Sequence, residues 1–77
     1  MIYTNSQKVI KAINSGDIKE GSTYTTTAGM FLITNIQTNG SDIIGESVEL
    51  YIDADGNGEP HGNALPITAY DLVNAEF

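Results

Sequence analysis

The stretch Thr23–Asp53, TYTTTAGMFLITNIQTNGSDIIGESVELYID, decides the fold. Its first five residues, Thr23 to Thr27, are β-branched or aromatic and stop at an Ala28-Gly29 break. Met30 to Thr38 is a second run of strand-forming residues. Asn39-Gly40 follows, a dipeptide that accepts positive φ at both positions and predicts a type I′ hairpin turn. The third run, about Ile43 to Asp53, alternates. Ile44, Val48, Leu50 and Ile52 occupy one face, and Ser47, Glu49, Tyr51 and Asp53 the other. Period-two alternation means a half-buried strand, so the even positions are expected in the core and the odd ones outside.

Outward from this stretch, the N-terminal side reads as the only helix, Asn5 to Ser15. Thr4 or Asn5 caps its start, Val9, Ile10 and Ile13 form its apolar face, and Lys8 and Lys11 lie on the outer face. Gly16 supplies the C-cap. About three turns are marginal in isolation, so this helix must pack on the strands. On the C-terminal side, Ala54 to Gly62 reads as a glycine-rich loop. Leu65-Pro66-Ile67, a tight turn over Thr68–Asp71 and a final strand from Leu72 to Phe77 follow. Pro66 cannot donate to a ladder and belongs at an edge. The expected domain is single, spanning 1–77, with a helix at 5–15 and β-structure over 22–77.

These turns and core positions carry a resemblance. Gly29-Met30-Phe31, Asp53-Ala54-Asp55-Gly56, Leu65-Pro66 and Ala69-Tyr70-Asp71-Leu72-Val73 resemble landmarks of the small SH3-like barrels found in phage and mobile-element proteins. Those landmarks are a glycine opening a strand, a D-x-D-G loop, a Leu-Pro, and a one-turn segment before the closing strand. About two-thirds of the chain is covered. The resemblance implies an α+β fold: an N-terminal helix packed on a small antiparallel SH3-like β-barrel of four to five strands. Pro66 and Tyr70 are similar to the Pro and Tyr of the SH3 peptide groove. With no Trp in the chain, proline-rich peptide binding is not expected, and both residues are assigned to closing the barrel.

Composition narrows function. The 77 residues include 10 Asp and Glu, 3 Lys and no Cys, for a net charge of −7. A chain this short hides only about 60% of its unfolded surface, with no disulfide or thiolate metal site to reinforce it. The acidic balance argues against direct nucleic-acid binding, which needs cations against phosphates, and against anionic membranes. The first 19 residues carry +2; the 58 from Glu20 to Phe77 carry −9 with no Lys or Arg. Those carboxylates repel one another, a penalty relieved by ordinary hydration or by a cationic partner. Met1 to Gln7 contains no basic leader, and the Asn39-Gly40-Ser41 sequon reads as a turn, so a cytoplasmic protein is expected.

Three features bear on chemistry. Asp53-Ala54-Asp55-Gly56-Asn57-Gly58 resembles the first half of an EF-hand calcium loop, with oxygen ligands from Asp53, Asp55 and Asn57. The second half departs: His61 stands at position 9 and Ala64 at position 12, where a bidentate Glu belongs, while Pro60 stiffens the chain between. The same Asp, Asn and Gly residues also serve a hairpin loop. His61, the sole histidine, lacks the partners for zinc and reads as a loop residue near acids. No nucleophile elbow, P-loop or dinucleotide fingerprint occurs, so no enzyme is expected and no cofactor beyond weakly held calcium.

Finally, Tyr51 sits between Glu49 and Asp53 on the face assigned to solvent. Alternate strand residues are about 6.6 Å apart, close to the spacing of successive phosphates. An ordinary strand surface is one reading. The other is a partner-binding face of Glu49, Tyr51, Asp53, Asp55 and Glu59, with the lysine-bearing helix turned away. On that reading the chain is a non-catalytic acidic module that binds a basic protein. The phage resemblance implies a phage-encoded inhibitor in the host cytoplasm, acting on a defence or nucleic-acid-handling protein as an anti-CRISPR-like nucleic-acid mimic. The alternative is a structural or accessory phage module, with or without a weak calcium loop.

Overall fold

The computed structural model describes residues 1–77. Helix α1, Ser6–Ser15, begins where the Asn5 side chain accepts from the Lys8 amide at 2.9 Å and ends at Gly16. Both caps are those that the sequence predicts. Val9 and Ala12 form its buried face, flanked by half-buried Ile10 and Ile13.

Strands β1 (Thr23–Thr26), β2 (Gly29–Asn39), β3 (Asp42–Ile52) and β4 (Gly58–Ile67) form one antiparallel meander in the order β1-β2-β3-β4. The α+β class stands: α1 packs on a four-strand antiparallel sheet. The barrel does not close, because β1 and β4 remain the two edges. β1 instead pairs with the tail: Thr25 and Glu76 exchange backbone hydrogen bonds at 2.8 and 2.9 Å, and Glu76 also bridges Ile2. The β4 edge carries Pro60 and Pro66, which cannot donate to an added strand.

The expected final strand over Leu72–Phe77 is largely replaced. Thr68 and Asp71 form a reciprocal capping box that nucleates a one-turn helix, α2, Ala69–Leu72. Asn74, at φ 63°, then breaks the extended path, leaving only Glu76 in strand-type bridges. Tyr70 is 81% exposed on α2 and closes nothing. The glycine-rich segment Ala54–Gly62 is also mostly strand. Only the tip of the β3–β4 hairpin is a turn, where the Gly56 amide donates to the Asp53 carbonyl and Gly56 has φ 86°. The β2–β3 hairpin turn is displaced by one residue. Asn39 pairs with Asp42, so Gly40 and Ser41 are the central residues. Only Gly40 has positive φ, as a type II′ turn requires.

The core lies between the sheet and the two helices. Val9, Ile33 and Leu72 are completely buried, with Ile18, Tyr24, Ile43, Ile67, Ala69 and Ala75 around them. On β3 the expected faces are inverted in part: the odd residues Ile43 and Ser47 point into this core, while Ile44 and Ile52 are more than half exposed. Val48 is buried but stands apart from the core cluster. The register places it beside Leu32, and Leu50 beside Met30, on the opposite face. The inversion is tolerable because the Ser47 hydroxyl is hydrogen-bonded to the Tyr24 hydroxyl at 2.9 Å, so no buried side-chain polar atom is left unpaired. No helix is long and apolar enough to cross a membrane.

Candidate functional site

The β3–β4 hairpin outruns its neighbours. β2 pairs with β3 only as far as Leu50, while β4 continues the pairing to Ile52. Every residue from Tyr51 to Asn63 is exposed, in a molecule 40 Å long and about half as wide. These residues form an arm. At its base β4 bulges: His61 pairs with Glu49 and Leu65 with Ser47, so three β4 residues stand against Val48 alone. Gly62, at φ 80°, supplies the backbone conformation for that excursion.

The register builds one row across all four strands. Tyr24 pairs with Phe31, Phe31 with Glu49, and Glu49 with His61. Directly paired residues share a face, so all four project from the core-bearing side. Tyr24 and Phe31 stack at a centroid distance of 5.3 Å. One row further out, Tyr51 pairs with Glu59, which puts Tyr51 diagonal to His61; the two rings stack at 4.0 Å and 12°.

Tyr51 is therefore exposed as expected, at 53%, for a different reason. It lies on the same face as the core but beyond the core's end. Glu49 is half-buried and not simply outward, and its carboxylate accepts no hydrogen bond from the protein. Glu59 joins Tyr51 on this face, and Asp55 is exposed at the tip. Asp53 shapes the turn itself, because its Oδ1 accepts the backbone amides of Asp55 and Asn57, both at 2.9 Å. This is an Asx turn. Asn57 is exposed at its far end, and Ala64 is in β4. No three His, Cys, Asp or Glu side chains converge in a geometry that holds a metal.

Between the row and α2 lies a cavity of about 590 Å³, open to solvent. Tyr24 and Phe31, Ser47, Glu49 and His61, and Asp71 of α2 contribute to its wall. No Lys or Arg does. Burial pushes the Tyr24 hydroxyl above its ordinary 10.0; the Ser47 hydrogen bond opposes that rise, and the Asp71 carboxylate adds to it. Ser47 is thus held by Tyr24 and not by the imidazole. A separate hollow of about 460 Å³ takes in Lys8 and Lys11 with Met1–Tyr3, and shares no residue with the first.

Sequence reasoning missed Tyr24, Phe31, Ser47 and Asp71, and took His61 for a loop residue. One signal was present. Read as a three-residue hairpin turn, Ala54-Asp55-Gly56 sets Glu49 opposite His61 by counting outward from the tip. No family model, curated protein or solved structure matches this chain.

Proposed function

We propose that this chain is a non-catalytic protein-binding module that engages a basic partner surface through the β3–β4 arm. The observation that carries this reading is the exposure of every residue from Tyr51 to Asn63. The arm presents Asp53, Asp55 and Glu59 without a Lys or Arg, and Tyr51, stacked on His61, serves as an aromatic anchor. Carboxylates supply attraction and orientation; a desolvated ring supplies affinity. Engagement of Ser47 by Tyr24 favours binding over nucleophilic chemistry.

The narrower form of the proposal is a phage-encoded inhibitor in the host cytoplasm. It occupies a groove of a defence or nucleic-acid-handling protein, in the manner of anti-CRISPR and other nucleic-acid mimics. Its support is the likeness of the Gly29, Asp53–Gly56 and Leu65-Pro66 landmarks to phage and mobile-element proteins, together with the acid-only segment from Glu20 onward.

Affinity capture from host extract tests it. A nucleic-acid-handling protein should be retained at low salt and released as ionic strength rises. Tyr51→Ala, or charge reversal at Asp55 and Glu59, should abolish retention with an unchanged circular dichroism spectrum, whereas Lys8→Gln/Lys11→Gln should retain it. Capture indifferent to salt, or lost only in the lysine variants, refutes the proposal.

A further inference from the structure

The arm accounts for Tyr51 and the tip carboxylates but not for the cavity beside them. Its wall contains two carboxylates and no Lys or Arg. One of them, Asp71, is partly committed, since its Oδ2 accepts from the Thr68 amide at 2.7 Å and the Thr68 hydroxyl at 3.1 Å. Glu49 has no such commitment. It sits half-buried between Phe31 and His61, its direct neighbours on either side. A Cβ built on Gly29 would lie 3.3 Å from its Oε2, so the carboxylate is tucked over the β2 backbone. Tyr24 and Phe31 present a stacked aromatic pair next to it.

We propose that this cavity receives an arginine side chain of the partner protein, with Glu49 as its counter-ion and half-buried Phe31, backed by the buried Tyr24 ring, as the aromatic surface on which the guanidinium lies. The inference rests on the reading of the chain as a protein binder with a basic partner. A guanidinium is planar, can pair with a carboxylate through two parallel hydrogen bonds and stacks on aromatic faces; an ammonium does only part of this. The volume exceeds one side chain, leaving room for the main chain that carries it. Placed at the arm's base, an arginine would be gripped where the electrostatic attraction of the tip delivers it.

The test uses the whole chain and a blocked Gly-Arg-Gly tripeptide, followed by NMR. The ring resonances of Tyr24, Phe31 and His61 should shift saturably. The Gly-Lys-Gly peptide should bind more weakly, and the neutral isostere Gly-citrulline-Gly about tenfold or more weakly, the scale of a lost charged hydrogen bond. Glu49→Gln should produce a comparable loss. Asn63→Lys, an exposed position on the cavity wall, should weaken binding by placing a competing cation there, and it serves if Glu49→Gln disturbs the fold. Equal binding of arginine and citrulline peptides, or shifts that never saturate, overturns the inference. If the peptide fails while salt-dependent capture through Tyr51 persists, the arginine cavity falls and the protein-binding reading stands. If the peptide titrates but no partner is captured, the cation site stands and the protein partner falls.

Discussion

At one end of the molecule Val9, Ile33 and Leu72 are fully buried, and the two chain termini are tied together by hydrogen bonds between Met1 and Phe77. At the other end, every residue from Tyr51 to Asn63 meets solvent. Both regions are antiparallel sheet, and a single strand, β3, runs through both. The difference is what covers them. Around Ile33 and Ile43 the sheet is covered by α1, α2 and the tail; beyond Leu50 only β3 and β4 remain, paired with each other. Stability is concentrated at the covered end and accessible chemistry at the bare one, so substitutions should separate the two almost completely.

The largest expected effect is at the covered end. Leu72→Ala removes a fully buried side chain from the helix that closes the core, a change that costs about 2–5 kcal/mol. Domains of this size are stable by only about 5–15 kcal/mol, and small ones sit low in that range. Urea denaturation should show a midpoint shifted far down, or a chain already unfolded in buffer. A shift no larger than that of a surface variant would mean that α2 is not part of the cooperative unit.

The same contrast explains what could be read from the sequence. The caps Asn5 and Gly16, the β1–β2 break and the edge position of Pro66 are local choices, and local chemistry dictates them. The two faces of β3 were not legible. Ile44, Val48, Leu50 and Ile52 form a better apolar stripe than Ile43 and Ser47 do, yet the latter face the core. That choice depends on a long-range partner, the Tyr24 hydroxyl, which alternation cannot reveal. The arm was hidden for a related reason. Gly58, Pro60 and Gly62 carry loop composition, and only their register with β3 makes them a strand. Alternation puts Glu49 and Tyr51 on one face, but it does not show that this face is the core-bearing one or that Glu59 joins it through β4; the cavity beside it was hidden too, because its wall is drawn from all four strands and α2.

A smaller effect sits where the two regions meet. Tyr24→Phe keeps the ring against Phe31 and Phe77 but leaves the Ser47 hydroxyl buried without a partner, a loss of about 1–3 kcal/mol. The pH dependence adds a second signature. Because burial raises the Tyr24 value above 10.0, the folded state holds this proton more tightly than the unfolded chain does. The resulting stability is present below that ordinary value and is lost as pH rises through the folded one. Tyr24→Phe should therefore flatten the alkaline limb of a stability–pH curve while lowering its plateau. An alkaline limb identical to that of the parent protein would assign the effect elsewhere.

The smallest effect belongs to the tip of the arm. Asp53 Oδ1 accepts two backbone amides, so Asp53→Ala removes both bonds and should loosen the turn. Water reaches every group involved, so neither donor is stranded, and the melting temperature should move little. Amide exchange, which reads local opening, should accelerate at Asp55 and Asn57 but not at Ile33. Calcium offers an independent probe of the same residues. An ion that binds the folded state stabilises it according to its concentration relative to its dissociation constant. A calcium loop built on Asp53, Asp55 and Asn57 would thus raise the melting temperature at millimolar calcium, and Asp53→Ala would cancel the rise. The Asx turn predicts otherwise: one Asp53 oxygen already serves two donors, and six or more oxygens are needed around the ion. We expect the parent protein to melt at the same temperature with calcium as with a chelator. A calcium-dependent rise that Asp53→Ala abolishes would make the tip of the arm a metal site and its geometry ligand-dependent.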